Sequence, residues 1–158
     1  MLATAILTSM VTLVWASFSL TARSKDKAEA IGERYHQLRL AMHRMSREIS
    51  MAFLSRNEIS GTLRPRTMFI SKRESKVDEL TFSSFAHMRL REDAKECDQS
   101  LITYFAAPDP EDRGRMNLMR RETRRLGVEK PGEEGPAYVM MEGIEELHFE
   151  YFDTTKNE

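Results

Sequence analysis

Four histidines, His36, His43, His87 and His148, and one cysteine, Cys97, are the side chains of this 158-residue chain best suited to bind a metal or act as a nucleophile. Their spacing gives no H-x-H or HExxH pair, and no GxSxG or glycine-rich phosphate loop accompanies them. His36 and His43 share one helix face, but no second ligand pair has suitable spacing, so both read as solvated surface residues. Cys97 lies in the acidic stretch "REDAKECDQS", which would not lower a thiol pKa, and a lone cysteine excludes an intramolecular disulfide, a CxxC motif and a cysteine-rich zinc site.

Glu142, Glu145, Glu146 and Glu150 are the best candidates for paired carboxylates, and their neighbours make them solvent-facing strand and turn residues. Arg113, Arg115, Arg120, Arg121, Arg124 and Arg125 form a basic run without interleaved aromatics, diluted by Glu111, Asp112 and Glu122. That composition points to an exposed strand face rather than to a nucleic-acid site. The expectation is therefore a protein without enzymatic activity, catalytic residues, cofactor or metal, which acts through its surfaces.

The elements presenting those surfaces begin with residues 1–22, which carry no charge: fifteen are apolar and seven are Ser or Thr. As a helix this stretch spans ~33 Å, enough to cross the hydrocarbon core of a bilayer. A cleavable signal peptide fits less well, since no Lys or Arg precedes the apolar run and Leu20 stands where cleavage wants a small residue. Thr4, Thr8, Thr12 and Ala16 recur every four residues, either to admit a neighbouring helix or to hydrogen-bond back to their own. With no breaker in "LVWASFSLTARSKDK", the helix is predicted to continue out of the apolar stretch into residues 23–56, which hold eight Lys/Arg against four Asp/Glu.

Within 23–56, Ile31, Tyr35, Leu38, Met42, Met45 and Ile49 form an apolar stripe, expected to lie on a sheet of the same chain, with a coiled coil as the alternative. One helix from about residue 2 to about residue 55 is predicted, with Gly32 as a candidate bend. Beyond it the period shortens. Residues 67–71, 79–85, 100–105, 116–123, 137–142 and 145–153 read as strands of an antiparallel sheet, and in the last Leu147, Phe149 and Tyr151 should share one face. The fold class is α+β: a long amino-terminal helix, membrane-spanning over 1–22 and amphipathic over 23–56, packed on a β-rich head at 57–158.

The segments "LATAIL", "RYHQLRLAMHRMSREIS", "DELTFSSF" and "MEGIEELHFEYFD" carry this further. The chain resembles the minor pseudopilin J family of type II secretion systems, within the type IV pilin-like superfamily. Gln37, Leu38, Ala41, Glu48 and Ile49 fit its helix motif, and Met141 to Asp153 its late strand pattern. The resemblance implies a subunit at the tip of a periplasmic pseudopilus that helps to start filament assembly for the export of folded proteins. Its implied partners are the I-type and K-type minor pseudopilins, the major pseudopilin filament and the inner-membrane secretion platform. The implied location is the bacterial inner membrane, single-pass, with the head in the periplasm. A minor pilin of a type IV pilus and a plain single-pass anchored periplasmic protein are the alternatives.

Family members carry a basic leader, a processing site and a methylated mature amino terminus. The expectation is thus an upstream reading frame supplying basic residues, since Arg23, Lys25 and Lys27 alone favour a cytoplasmic head.

Overall fold

The computed structural model describes residues 2–56, 67–88, 97–124, 126 and 132–152. The chain divides into two compact units, residues 1–40 and 41–158. One element, α1 (Leu2–Ser50), belongs to both. In the first unit the helix stands without tertiary cover, and every described residue from 2 to 40 is exposed except the half-buried Ser19. An 18-residue window of α1 has a mean hydropathy of 1.6 and none of it is buried, so the helix is long and apolar enough to cross a membrane. Its hydroxyls are satisfied locally: Thr8 donates to the carbonyls of Thr4 and Ala5, and Thr12 to those of Thr8 and Ser9. Ser9, Ser19 and Thr21 do the same, which removes most of the cost of placing these polar groups in an apolar medium.

The second unit is a meander. Strands β1 (Phe69–Lys72), β2 (Glu79–Ser84), β3 (Ser100–Pro108), β4 (Met116–Thr123) and β5 (Ala137–Ile144) lie in that order, each antiparallel to the next. Registers fix the two faces: Leu80, Tyr104, Arg120 and Tyr138 share one, and Ile70, Thr81, Thr103, Arg121 and Ala137 the other. The first face forms the core, where Leu80, Phe82, Ile102, Tyr104 and Leu118 are buried together with Met45 of α1, and Ile49 and Ala52 pack alongside.

Helix α1 stops where β2 takes over its hydrogen bonding. The Phe53 N–H donates to the Ser83 carbonyl at 2.9 Å and the Phe85 N–H to the Met51 carbonyl at 3.1 Å, which pins the turn past Ser50 to β2 by a single antiparallel bridge, Ala52 to Ser84. On the second face, the Thr81 and Thr103 hydroxyls pair at 3.0 Å beneath Gly132, whose carbonyl accepts from Arg121. Gly135 (φ 106°) passes so close that an added Cβ would stand 2.5 Å from the Glu122 carbonyl oxygen, which leaves glycine as the residue for that position.

One expected strand is not part of the sheet. Residues 145–152 make a single parallel bridge, Leu147 to Val77, instead of a ladder; Asp153 lies outside the described residues. Gly143 (φ 56°, its N–H held by Asn117 Oδ1 at 2.9 Å) sits at an irregularity within β5, which still pairs Ile144 with Met116 before the chain leaves the sheet. The segment becomes a strap. Leu147 and Phe149 pack against the core cluster, and Tyr151 meets Phe69 of β1 edge-on at 5.9 Å.

Candidate functional site

Among the described residues, the densest polar arrangement in the head is built on Glu48, in the last turn of α1. A carboxylate there is doubly disfavoured, because it is buried (2 % exposed) and sits at the negative end of the helix dipole. It is compensated from three directions. Arg120 on β4, itself 3 % exposed, places Nε 3.0 Å from both carboxylate oxygens and Nη2 2.9 Å from Oε1. Arg44, one turn earlier in α1, donates to Oε1 at 3.0 Å, and the Tyr104 hydroxyl on β3 donates to Oε2 in a short hydrogen bond.

The network continues outward. Arg120 Nη1 reaches Glu122 Oε2 at 2.9 Å, and Glu122 Oε1 lies 2.6 Å from His87 Nδ1. Ser84 on β2 donates to the Glu48 carbonyl at 2.9 Å, so β2, β3 and β4 all hold the end of the helix.

Burial alone would raise the Glu48 carboxyl. The hydrogen bonds from Arg120 and Tyr104 and the charge of Arg120 outweigh it and hold the group below its usual range. Glu122 is lowered likewise, burial being outweighed by His87 and Arg120. Burial and the facing Glu48 carboxylate push the Tyr104 hydroxyl up, so it remains a donor. Every carboxylate oxygen of Glu48 and Glu122 is engaged and the central pair is closed to solvent, so this arrangement locks helix to sheet and presents no reacting group to a substrate.

A second latch holds the strap. Asp78, 1 % exposed, accepts the N–H groups of Phe149 at 3.0 Å and Glu74 at 3.1 Å, and His148 Nδ1 lies 3.1 Å from its Oδ1. Glu146 takes His148 Nε2 at 2.8 Å. Against the effect of burial, the two backbone donors and His148 lower the Asp78 carboxyl. Its hydrogen bond to Asp78, then Glu146, raises His148 despite desolvation.

Sequence-expected residues fall as follows. Met45 is buried and Ile49 packs on the core, whereas Ile31, Tyr35, Leu38 and Met42 are exposed in the single chain. The residues of α1 that enter the head are Ala41, Met45 and Glu48, a face rotated from the expected stripe, because the ion pair with Arg120 draws Glu48 inward. Thr4, Thr8, Thr12 and Ala16 lie exposed along the apolar half, the three threonines within its internal hydroxyl bonding. Arg120 corrects the expectation of an exposed basic run: it is buried, while Arg113 and Arg115 are exposed, Arg121 stacks on Phe105 at 4.6 Å, and Arg125 lies outside the described residues. Alternation in "MNLMRRET" carried the missed signal, since Leu118, Arg120 and Glu122 share one face.

His36 and His43 are exposed on α1, and His87 and His148 pair with carboxylates. Glu142, Glu145, Glu146 and Glu150 are exposed, as is Cys97. Among the described residues no three His, Cys, Asp or Glu side chains converge on a point that could hold a metal.

A long amino-terminal helix, apolar over a membrane-spanning length and packed by its last turns on an antiparallel sheet, is the pilin-like architecture. No protein-family model, curated protein or solved structure matches the chain.

Proposed function

We propose that this chain is a membrane-anchored, non-enzymatic subunit of a pilin-like assembly and, within that class, a minor pseudopilin of the J type at the tip of a type II secretion pseudopilus. The observation that carries the reading is the continuity of α1: the helix that supplies a membrane-length apolar segment also ends in the head's buried Glu48–Arg120–Tyr104 lock. A subunit so built offers its apolar half to a bilayer before assembly and to neighbouring helices afterwards. The secretion assignment draws on the likeness of "MEGIEELHFEYFD" to the late strand pattern of J-type pseudopilins.

In this reading the head lies in the periplasm, and the I-type and K-type minor pseudopilins are the direct partners. The test is removal of the gene from its bacterium, together with recovery of the tagged full chain from detergent-solubilised membranes. Expected are accumulation of exoproteins in the periplasm and co-recovery of I-type and K-type subunits. Intact secretion with lost pilus function would move the chain to a type IV pilus, and intact secretion with no partner recovered would leave a plain anchored protein.

A further inference from the structure

The sheet is an open meander, so β1 and β5 each have a side that pairs with no strand among the described residues. Natural sheets commonly guard such edges with charge, proline or brevity. β1 is guarded: it has four residues and ends on Lys72, followed by Arg73. β5 is longer and less guarded: its eight residues "AYVMMEGI" carry no Lys, no Pro and a single charge, Glu142 near its end, and its apolar side chains stand out on both faces, Tyr138 61 % exposed and Val139 50 %.

The surroundings of the two edges differ in sign. Glu134 precedes β5, and Glu142, Glu145 and Glu146 lie at or beyond its far end, all exposed. β1 ends on Lys72, which pairs with Glu79 of β2 at 3.1 Å, and is followed by Arg73, Glu74 and Lys76, all exposed, so the basic groups outnumber the acidic ones there. Pairing β5 with β5 would bring acid against acid, and β1 with β1 base against base, both unfavourable. Pairing β5 with β1 matches charge.

The side chains match as well. By the ladder registers Ile70 and Val139 lie on the same sheet face and are both about half exposed, while Tyr138 shares the opposite face with Phe69, which already holds Tyr151 edge-on. A β1 strand laid beside β5 would put Ile70 against Val139 and Tyr138 against an aromatic pair.

From these observations we infer that β5 is a docking edge and that its occupant is β1 of a second copy of this chain, the two sheets joining edge to edge. Such a contact is heterologous, β5 of one copy receiving β1 of the other. Four residues of pairing is a small contact, and it gains occupancy when subunits share a membrane surface that raises their effective concentration. The pairing involves the head alone and stands whether the assembly is a pseudopilus or another pilin-like array.

The test is disulfide trapping of the full chain in liposomes of neutral phospholipid, on a Cys97→Ser background. Two singly substituted proteins, Ile70→Cys and Val139→Cys, carry tags of different mass and are mixed in equal amounts under mild oxidation. Both substitutions fall at half-exposed positions outside the core. The expected product is the mixed dimer, in at least tenfold excess over either homodimer, falling about tenfold when Glu142 and Glu145, which lie outside the strap's latch, are both changed to Lys. Equal yields of the three dimers, a dominant homodimer, no cross-linking, or indifference to the charge reversal would each overturn the inference.

Discussion

Glu48 and Arg120 are worth more as a pair than either is alone. Removing one partner of a buried ion pair leaves an uncompensated charge, at a cost of about 3–5 kcal/mol, whereas removing both leaves only a less well packed core. Glu48→Gln and Arg120→Met should each destabilise the head by that order, and the double variant by about 2 kcal/mol less than their sum. Urea unfolding of the full chain in detergent, followed by near-ultraviolet circular dichroism of the tyrosines, would measure it. The only tryptophan, Trp15, lies in the apolar half and does not report on the head.

The same site fixes the sign of an acid response. Because the Glu48 and Glu122 carboxyls are lowered in the folded head, their contribution is present above the ordinary carboxyl value of about 4.3 and is lost as pH falls through the lowered values. The unfolding midpoint should drop on acidification below about pH 4, and less steeply in Glu48→Gln. At this scale the sequence was least legible. Glu and Arg are residue types usually found in water, and nothing local marks this pair, which closes on itself across 72 positions.

Element existence was far more legible than element partnership. Alternation over 145–152 shows that one face is buried, which holds for Leu147 and Phe149, yet it does not say whether the neighbour is a strand or an open part of the core. The answer depended on Asp78, 69 residues before Leu147, whose amide donates to the Leu147 carbonyl and whose carboxylate accepts from the Phe149 amide. The helix stripe shows the same division: the 3.6-residue period was readable from the sequence, but the phase at which α1 meets the sheet followed Glu48.

The strap gives the expectation that belongs to elements. Asp78→Ala removes both acceptors for the Phe149 and Glu74 amides, so hydrogen exchange at Leu147 and Phe149 should quicken at least tenfold while β3 and β4 stay protected. His148 has a raised pKa, so its hold on Asp78 is complete below the ordinary histidine value of about 6.5 and fades as pH rises through the raised one. Corrected for intrinsic rate, protection at Phe149 should therefore weaken on the alkaline side in the wild type and show no such step in His148→Leu. Loss of protection throughout the sheet in Asp78→Ala would mean that the strap is not a separable element.

For the whole molecule the decisive question is whether the head needs the apolar half of its helix. No described residue from 2 to 40 is buried, and the residues of α1 that enter the core begin at Ala41. A chain cut to begin at Lys27 keeps Met45, Ile49 and the Glu48–Arg120 lock and loses the uncharged stretch of residues 1–22. It should be water-soluble, with the same amide protection in β3 and β4 and a stability within about 1 kcal/mol of the full chain's head, because the residues removed contribute no burial to the core. It should also be monomeric at micromolar concentration. The edge contact between β5 and β1 is short, and without a shared bilayer it loses the confinement that sustains it. Sedimentation and hydrogen exchange on the truncated chain would check both expectations. Aggregation or a molten head would show that residues 1–26 are part of the folding unit. A stable dimer through residues 28–52 would instead assign the exposed Ile31, Tyr35, Leu38 and Met42 to a coiled coil, and the helix itself would then be the primary contact between subunits.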